Sequence, residues 1–480
     1  MDHMKPYHHY LAFLLCIILF AFLSETCNNP SLDKNAATSK DTGALSPTHA
    51  FSPQIPGDVV IPAGFAGNPI AFFDDYSWKT FIALVWPAQN GQRGIPDSAK
   101  SVDGSGPKVF QTYKALWEVF HNDSTTVPVG WNQYDSLNAC NKNIHFGQMV
   151  LASYSKFGDL GEAGFGNLVG PLIAQNRTYT RYLALINKTE FDTIVAAKLY
   201  LRKNLPDPNG NDTLTLPVGS IDIKTSWIDM QSVAHPERYF TDSAWVLNPQ
   251  TGVCSKKRVG LVGMHIVQKT TSRPQWIWSS FEQVDNIPQD GSLKPFAFHD
   301  STNKPMPNKN PYPFPPPVPV PAAFNTDRLK PIHSSTQRTN SIYRDSLVKE
   351  YPNTVWQFYQ LVMTQWPLQL QGGQPIPSSQ PGTPDFTFPG TINDSTSFAN
   401  VTMETFDQKT NTLVGFGCMN CHNATKQTDF LWSLEDHAFP AQVQNLQLQV
   451  KNLQLFAAKK SSPAERLRRI LSASRIKPKK

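Results

Sequence analysis

The spacing of apolar residues changes period twice along this chain. In "SWKTFIALVWPA" apolar positions recur at helical spacing and stop before Pro87, which predicts a helix ending there. "VFQTYKALWEVF" predicts a second helix, with Phe110, Tyr113, Trp117 and Phe120 on one face. The stretch between them, "QNGQRGIPDSAKSVDGSGPK", reads as loop. The period then shortens to two. "GSIDIKTSWIDM" alternates Ile221, Ile223, Thr225 and Trp227 with polar neighbours, as a half-buried strand does. "RYFTDSAWVL" and "KRVGLVGMHIVQKT" continue the pattern on either side of the turn-rich "NPQTGVCSK", and "RPQWIWSSFEQVDNIP" is aromatic and extended.

These runs predict a mainly antiparallel sheet over roughly 140–300, with a helix at "KTEFDTIVAAKLYL". Nine prolines in "KPMPNKNPYPFPPPVPVP" then exclude regular structure, so 305–335 is expected to be a linker or a stiff arm. Helical spacing returns in "SIYRDSLVKEY" and in "NTVWQFYQLVMTQWP", where Trp356, Tyr359, Met363 and Trp366 are expected to share a face. "NVTMETF" and "FPAQVQNLQLQVKNLQLF" read as later helices. The fold class expected is α+β, a mainly antiparallel β-rich body over 66–304 followed by a mostly helical region over 336–458.

Composition sharpens this picture at the two ends. "MDHMKPYHHY" precedes a thirteen-residue apolar run, "LAFLLCIILFAFL", too short for an ordinary membrane span and suited to an export signal over 1–26. Cys27 follows in "LSETC", where a bacterial lipoprotein carries its lipid, although Glu25 and Thr26 replace the usual small residues. The polar, core-poor segment 27–65 then reads as a flexible tether. An exported lipoprotein of the periplasm or cell envelope, held to the membrane by that anchor, is the expectation. The formal charge of +6 sits in the tail 459–480, which holds nine Lys or Arg against one Glu, so the rest of the chain is near neutral. That balance argues against a nucleic-acid-binding body. The tail itself is either solvated charge or a dock for anionic lipid or an acidic redox partner.

Only six cysteines occur, and two stand in "GFGCMNCHNATKQTDF" as Cys418 and Cys421, with His422 immediately after. In a helical turn these positions point the same way, so the two sulfurs can reach the vinyl groups of one haem while the imidazole meets the iron. Zinc needs a second ligand pair, and Cys140 and Cys254 are isolated. A thioredoxin-like pair would open the first helix of a βαβ unit, whereas only 59 residues follow Cys421. Cys140 and Cys254 are either a disulfide, which an oxidising compartment permits, or two buried thiols.

Through Cys418-Met419-Asn420-Cys421-His422 the chain resembles the c-type cytochromes. With "SWKTFIALVWP", "GLVGMHIVQKT", "WIWSSFEQVDN" and "CMNCH" it is similar to large exported single-haem proteins called cytochrome c family proteins, whose activity is not established. The resemblance implies one covalent haem c, with Cys418 and Cys421 as its anchors and His422 as axial iron ligand in a helical haem-bearing region. It implies electron exchange with a redox protein or a small-molecule oxidant or reductant. No methionine follows His422 and no second C-x-x-C-H exists, so neither a small soluble cytochrome nor a two-haem peroxidase is matched. The large body is therefore expected to help enclose the haem. For the sixth iron position the candidates are His437, Met403 and His265, or an open site. An open site would bind peroxide, oxygen or nitric oxide, with Trp276, Trp278, Phe281 and Glu282 as pocket candidates. A third alternative is a cell-envelope binding module with a structural haem.

Overall fold

The computed structural model describes residues 51–65, 69–152, 171–207, 210–248, 251–302, 308, 323–366, 399–408, 418 and 422–439. The export signal, Cys27, most of the proline-rich stretch, Cys421, "FPAQVQNLQLQVKNLQLF" beyond its first residue and the basic tail lie outside these residues. Among the described residues no helix is long and apolar enough to cross a membrane.

Among the described residues eight strands form one mixed sheet, so the class is α+β with a strand-rich body. In chain order they are β1 (Lys114–Ala115), β2 (Met149–Leu151), β3 (Arg181–Ile186), β4 (Ile221–Asp229), β5 (Thr241–Leu247), β6 (Cys254–Gln268), β7 (Ile277–Gln283) and β8 (Tyr359–Gln365). The fifteen-residue β6 organises the rest. One edge pairs antiparallel with β4, while the other is shared: its first half pairs with β5 and its second half with β7. The sheet thus forks. One branch runs to β5 and β2, and the other to β7 and β8. Only β2 against β5 is parallel; the other pairings are antiparallel, close to expectation. Cys140 and Cys254 are joined as a disulfide, 114 residues apart in sequence, beside the β5–β2 branch.

Helix α1 (Ile70–Leu84) ends ahead of Pro87 as its pattern predicts. It is buried nearly all round because it packs on one face of the sheet and against α3 (Ser334–Glu350). Phe81 stacks on Phe281 at 4.3 Å, and Trp78 stacks on Tyr343 at 5.0 Å. Between them runs a polar seam. Thr336 and Thr364 each donate to Asp74 at 2.7 Å, and Ser77 meets Thr364 and Ser279 at 2.8 and 2.7 Å. Burial pushes the Asp74 carboxyl up to about 7 against the pull of those two hydroxyls. Helix α2 (Lys188–Ala196) is capped by Asn187, whose side chain accepts from the Glu190 backbone N–H.

Three expected helices are replaced by other structure. "VFQTYKALWEVF" forms two short 3₁₀ turns flanking β1, because Lys114 and Ala115 pair with Ile186 and Leu185. "NTVWQFYQLVMTQWP" forms a 3₁₀ turn and then β8, which completes the sheet beside β7. Every residue of β8 is buried, so no polar alternation marked it as strand. "NVTMETF" is a turn ending in 3₁₀ structure at Thr405–Asp407: the Asn400 side-chain oxygen takes the Thr402 backbone N–H, competing with helix formation.

Candidate functional site

Strand alternation assigns the opposite face of the sheet. One cross-strand row there is Ile186, Asp222, Val267, Trp278 and Gln365; the next is Ala184, Lys224, His265, Ser280 and Met363; a third is Tyr182, Ser226, Gly263, Glu282 and Gln360. His422 and Ser433 lie over the first row, at Trp278 and Asp222, while Cys418 packs on Met363 of the second. The 399–408 turn lies over the third.

Cys418 and His422 both have helical backbone, four residues apart, as the motif requires. Cys418 packs against Ile332, Val362 and Met363. The His422 ring lies against Trp278 with centroids 4.3 Å apart. Its Nδ1 is 2.7 Å from the Phe430 carbonyl oxygen. A carbonyl only accepts, so Nδ1 carries the proton and the lone pair resides on Nε2. That is the tautomer an axial imidazole needs, with the ring orientation fixed by the bond on its far nitrogen.

The carbonyl is held by an unusual turn. Asp429 and Phe430 are successive non-glycine residues with φ of 56° and 67°, and Trp276, which is hydrogen-bonded to Asp429, has φ of 74°. Each such residue costs on the order of 1–3 kcal/mol and persists only where its surroundings over-determine it. Here Asp429 accepts from Lys269 Nζ at 2.5 Å and from the Leu216 N–H at 2.8 Å, while its carbonyl accepts from Trp276 Nε1 at 2.9 Å. Lys269 and Asp429 are both buried. Burial pulls the lysine down, opposed by Asp429, and pushes Asp429 up to about 6, opposed by Lys269. A neighbouring carboxyl, Glu190 on α2, is completely buried; burial, then Asp222 and Asp429, hold it well above the ordinary range.

Helix α4 (Trp432–His437) continues the same attachment. Ser433 donates to Asp222 at 2.8 Å, Arg202 pairs with Glu435 at 3.1 Å, and Phe439 bridges to Leu201. Asp222 is pushed up to about 6 by burial, against the Ser433 bond, and Asp436 to about 7 by burial and by Glu435. His437, at the helix end, is half-buried beside Phe120, and burial with Lys224 lowers it to about 4.

The 399–408 turn is fixed from below. Thr402 meets Ser226 at 2.7 Å, its carbonyl accepts from Tyr182, Asn400 donates to Ser280 at 3.1 Å, and Glu282 accepts the Val401 N–H at 2.6 Å. Glu282 also pairs with Arg328. Gly263 permits this approach, since a Cβ there would collide with Thr402 and Ser226. Met403 is fully buried within the turn. His265 faces it, with Nε2 buried and 3.5 Å from Glu404 Oε1, and without a hydrogen-bond partner among the described residues.

The proposed aromatic group is therefore split. Trp278 and Glu282 face the site, Trp276 locks the turn, and Phe281 points to the opposite face against Phe81. Pattern reading missed Lys269, Asp429, Phe430 and Asn400. The signal was slight: a lysine just past the end of a long strand, and an Asp-Phe pair at the seventh and eighth residues past the histidine. Among the described residues no three His, Cys, Asp or Glu side chains converge to hold a bare metal ion. No family model matches the chain, and no match was found among curated proteins or solved structures.

Proposed function

We propose that this chain is an exported single-haem c-type protein, anchored through Cys27, that passes electrons in an extracytoplasmic redox chain. Cys418 and Cys421 would hold the haem through thioether bonds and His422 would bind its iron, in a helical C-terminal haem-binding segment. The observation that carries the reading is the His422 Nδ1 bond to the Phe430 carbonyl, made by a turn whose backbone strain has no other evident use. A bound haem supplies reversible one-electron exchange at iron. The chain's own residues do the rest. His422 holds its proton at Nδ1 and presents Nε2, Trp278 fixes the ring plane, and the Lys269–Asp429 pair holds the carbonyl in place. The donor or acceptor is a redox protein or a small oxidant or reductant.

The test is expression of the full chain with a haem-attachment system. Intact mass is expected to rise by one haem, and the alkaline pyridine spectrum to be that of a doubly thioether-bound haem. Cys418→Ser with Cys421→Ser is expected to abolish covalent attachment. Colourless native protein of unmodified mass would overturn the reading. A haem enzyme with an open position remains the second reading, supported by the polar groups on the site face; rapid carbon monoxide binding by the reduced protein would favour it.

A further inference from the structure

Two attachments bracket the middle row of the site face. The motif segment is bound over the Asp222–Val267–Trp278 row and beyond it, at Lys269 and Trp276. The 399–408 turn is bound over the Ser226–Gly263–Glu282 row. Between them lies the row of Ala184, Lys224, His265, Ser280 and Met363, of which Ser280 is bound by Asn400 and Met363 is packed by Cys418, leaving Ala184, Lys224 and His265 half-buried. Rows on one face of a sheet recur about every 6.6–6.8 Å along a strand, so the interval between the flanking rows is about 13 Å.

The direction of His422 follows from its partner. Phe430 follows Asp429, which is tied to Lys269 and Trp276, so the carbonyl that takes Nδ1–H lies toward that end of the strands. The two ring nitrogens lie on opposite edges, and Nε2 therefore faces the middle row. From the other side stands His265, leaning toward the turn, as its 3.5 Å approach to Glu404 indicates. Its Nε2 is buried, with the Glu404 carboxylate at 3.5 Å and no hydrogen bond among the described residues, an arrangement that a ligand at Nε2 would relieve. Met403, in the same turn, is packed and apolar and leaves no such orphan.

We infer that His265 is the second axial ligand, closing the haem site as a bis-imidazole centre between the motif segment and the 399–408 turn. The inference rests on the haem reading above. It makes the site an electron carrier and removes the open position that gas or peroxide binding requires.

The experiment uses the full chain carrying attached haem, with haem content per chain measured first by mass and pyridine spectrum. The ferric wild type is expected to be low-spin by electron paramagnetic resonance, with the near-infrared magnetic circular dichroism band of two imidazoles. The reduced form is expected to show no Soret shift on adding carbon monoxide. His265→Ala with unchanged haem content is expected to become high-spin and to bind the gas, and added imidazole to restore the low-spin signal. Met403→Leu is expected to leave every signal unchanged. A low-spin His265→Ala variant, conversion by Met403→Leu instead, or a high-spin wild type would each overturn the assignment while haem attachment stands. Where His265→Ala does not fold, the wild-type near-infrared band decides alone: a histidine–methionine position overturns the inference. Wild-type protein without attached haem overturns both readings.

Discussion

The two faces of the sheet bury polar groups in opposite styles. On the helix-covered face the central groups are neutral or nearly so and mutually paired. Asp74, Ser77, Ser279, Thr336 and Thr364 form one seam, and Trp78 donates to Asn340 at 2.9 Å amid stacked rings. On the site face there is a buried lysine–carboxylate pair, a buried glutamic acid with neither oxygen hydrogen-bonded among the described residues, and three left-handed non-glycine residues. The first arrangement serves packing. The second is costly; buried charges and left-handed residues also occur elsewhere, as in the Arg93–Glu118–Lys114 cluster, but here they adjoin the turn that holds His422.

Replacing one partner in each face exposes the difference most strongly. Lys269→Met leaves Asp429 buried without its cation, a change worth about 3–5 kcal/mol, and removes the anchor of the turn that orients His422. Phe81→Ala deletes a ring stacked on Phe281, also worth about 3–5 kcal/mol. Both variants are expected to lower Tm in thermal melts. Only Lys269→Met is expected to alter the absorption spectrum of haem-loaded protein. Equal spectra in the two variants would show that the turn does not orient the histidine. Adding Asp429→Asn to Lys269→Met is expected to recover part of the lost stability, because it removes the stranded charge.

The disulfide probes a third location, the β5–β2 branch. Closing 114 residues of separation predicts a loss of about 2–5 kcal/mol for Cys140→Ala with Cys254→Ala. Since β5 and β7 leave β6 at different halves, the haem spectrum is expected to be unmoved. A spectral change would mean that the two branches are mechanically coupled.

How far the sequence foretold this arrangement depends on the period of each segment. Strands β4 to β7 were legible because "GSIDIKTSWIDM" and its successors alternate or run apolar between clear turns. Strand β8 was not, because an edge buried on both faces loses alternation, and Trp356, Tyr359 and Met363 happen to fit helical spacing. Cys418 and His422 were legible as a pair because their chemistry is written in adjacent residues. Their supports were not: Trp278, Lys269 and Asn400 come from separate segments, and only the fork in β6 brings them onto one face. Trp278 and Phe281, grouped in the sequence as candidates for one pocket, fall on opposite sides of β7 because an odd number of positions separates them.

The gentlest comparison of the two faces is by proton. On the site face Asp222 and Asp429 are raised to about 6 and Asp436 to about 7, and on the helix face Asp74 is raised to about 7, each chiefly by burial. A carboxyl raised in the folded state binds more protons there than when unfolded. Its contribution to stability is therefore complete below about pH 4 and is lost as pH rises through the folded value, at about 1.4 kcal/mol for each pH unit separating the unfolded and folded pKa. His437, lowered to about 4, acts oppositely: the unfolded chain binds the extra proton, so its share of stability grows from about pH 4 to about pH 6.5. With these four carboxyls, and Glu190 and Glu282 raised as well, against one lowered imidazole, Tm is expected to fall between about pH 4.5 and pH 7.5. Asp74→Asn removes one of the four while keeping an acceptor for Thr336 or Thr364. It is expected to lie within about 1 kcal/mol of wild type near pH 4.5 and to gain on it steadily toward about pH 7.5. An Asp74→Asn melt that parallels wild type across this range would place the pH sensitivity wholly on the site face, beside the turn that holds His422.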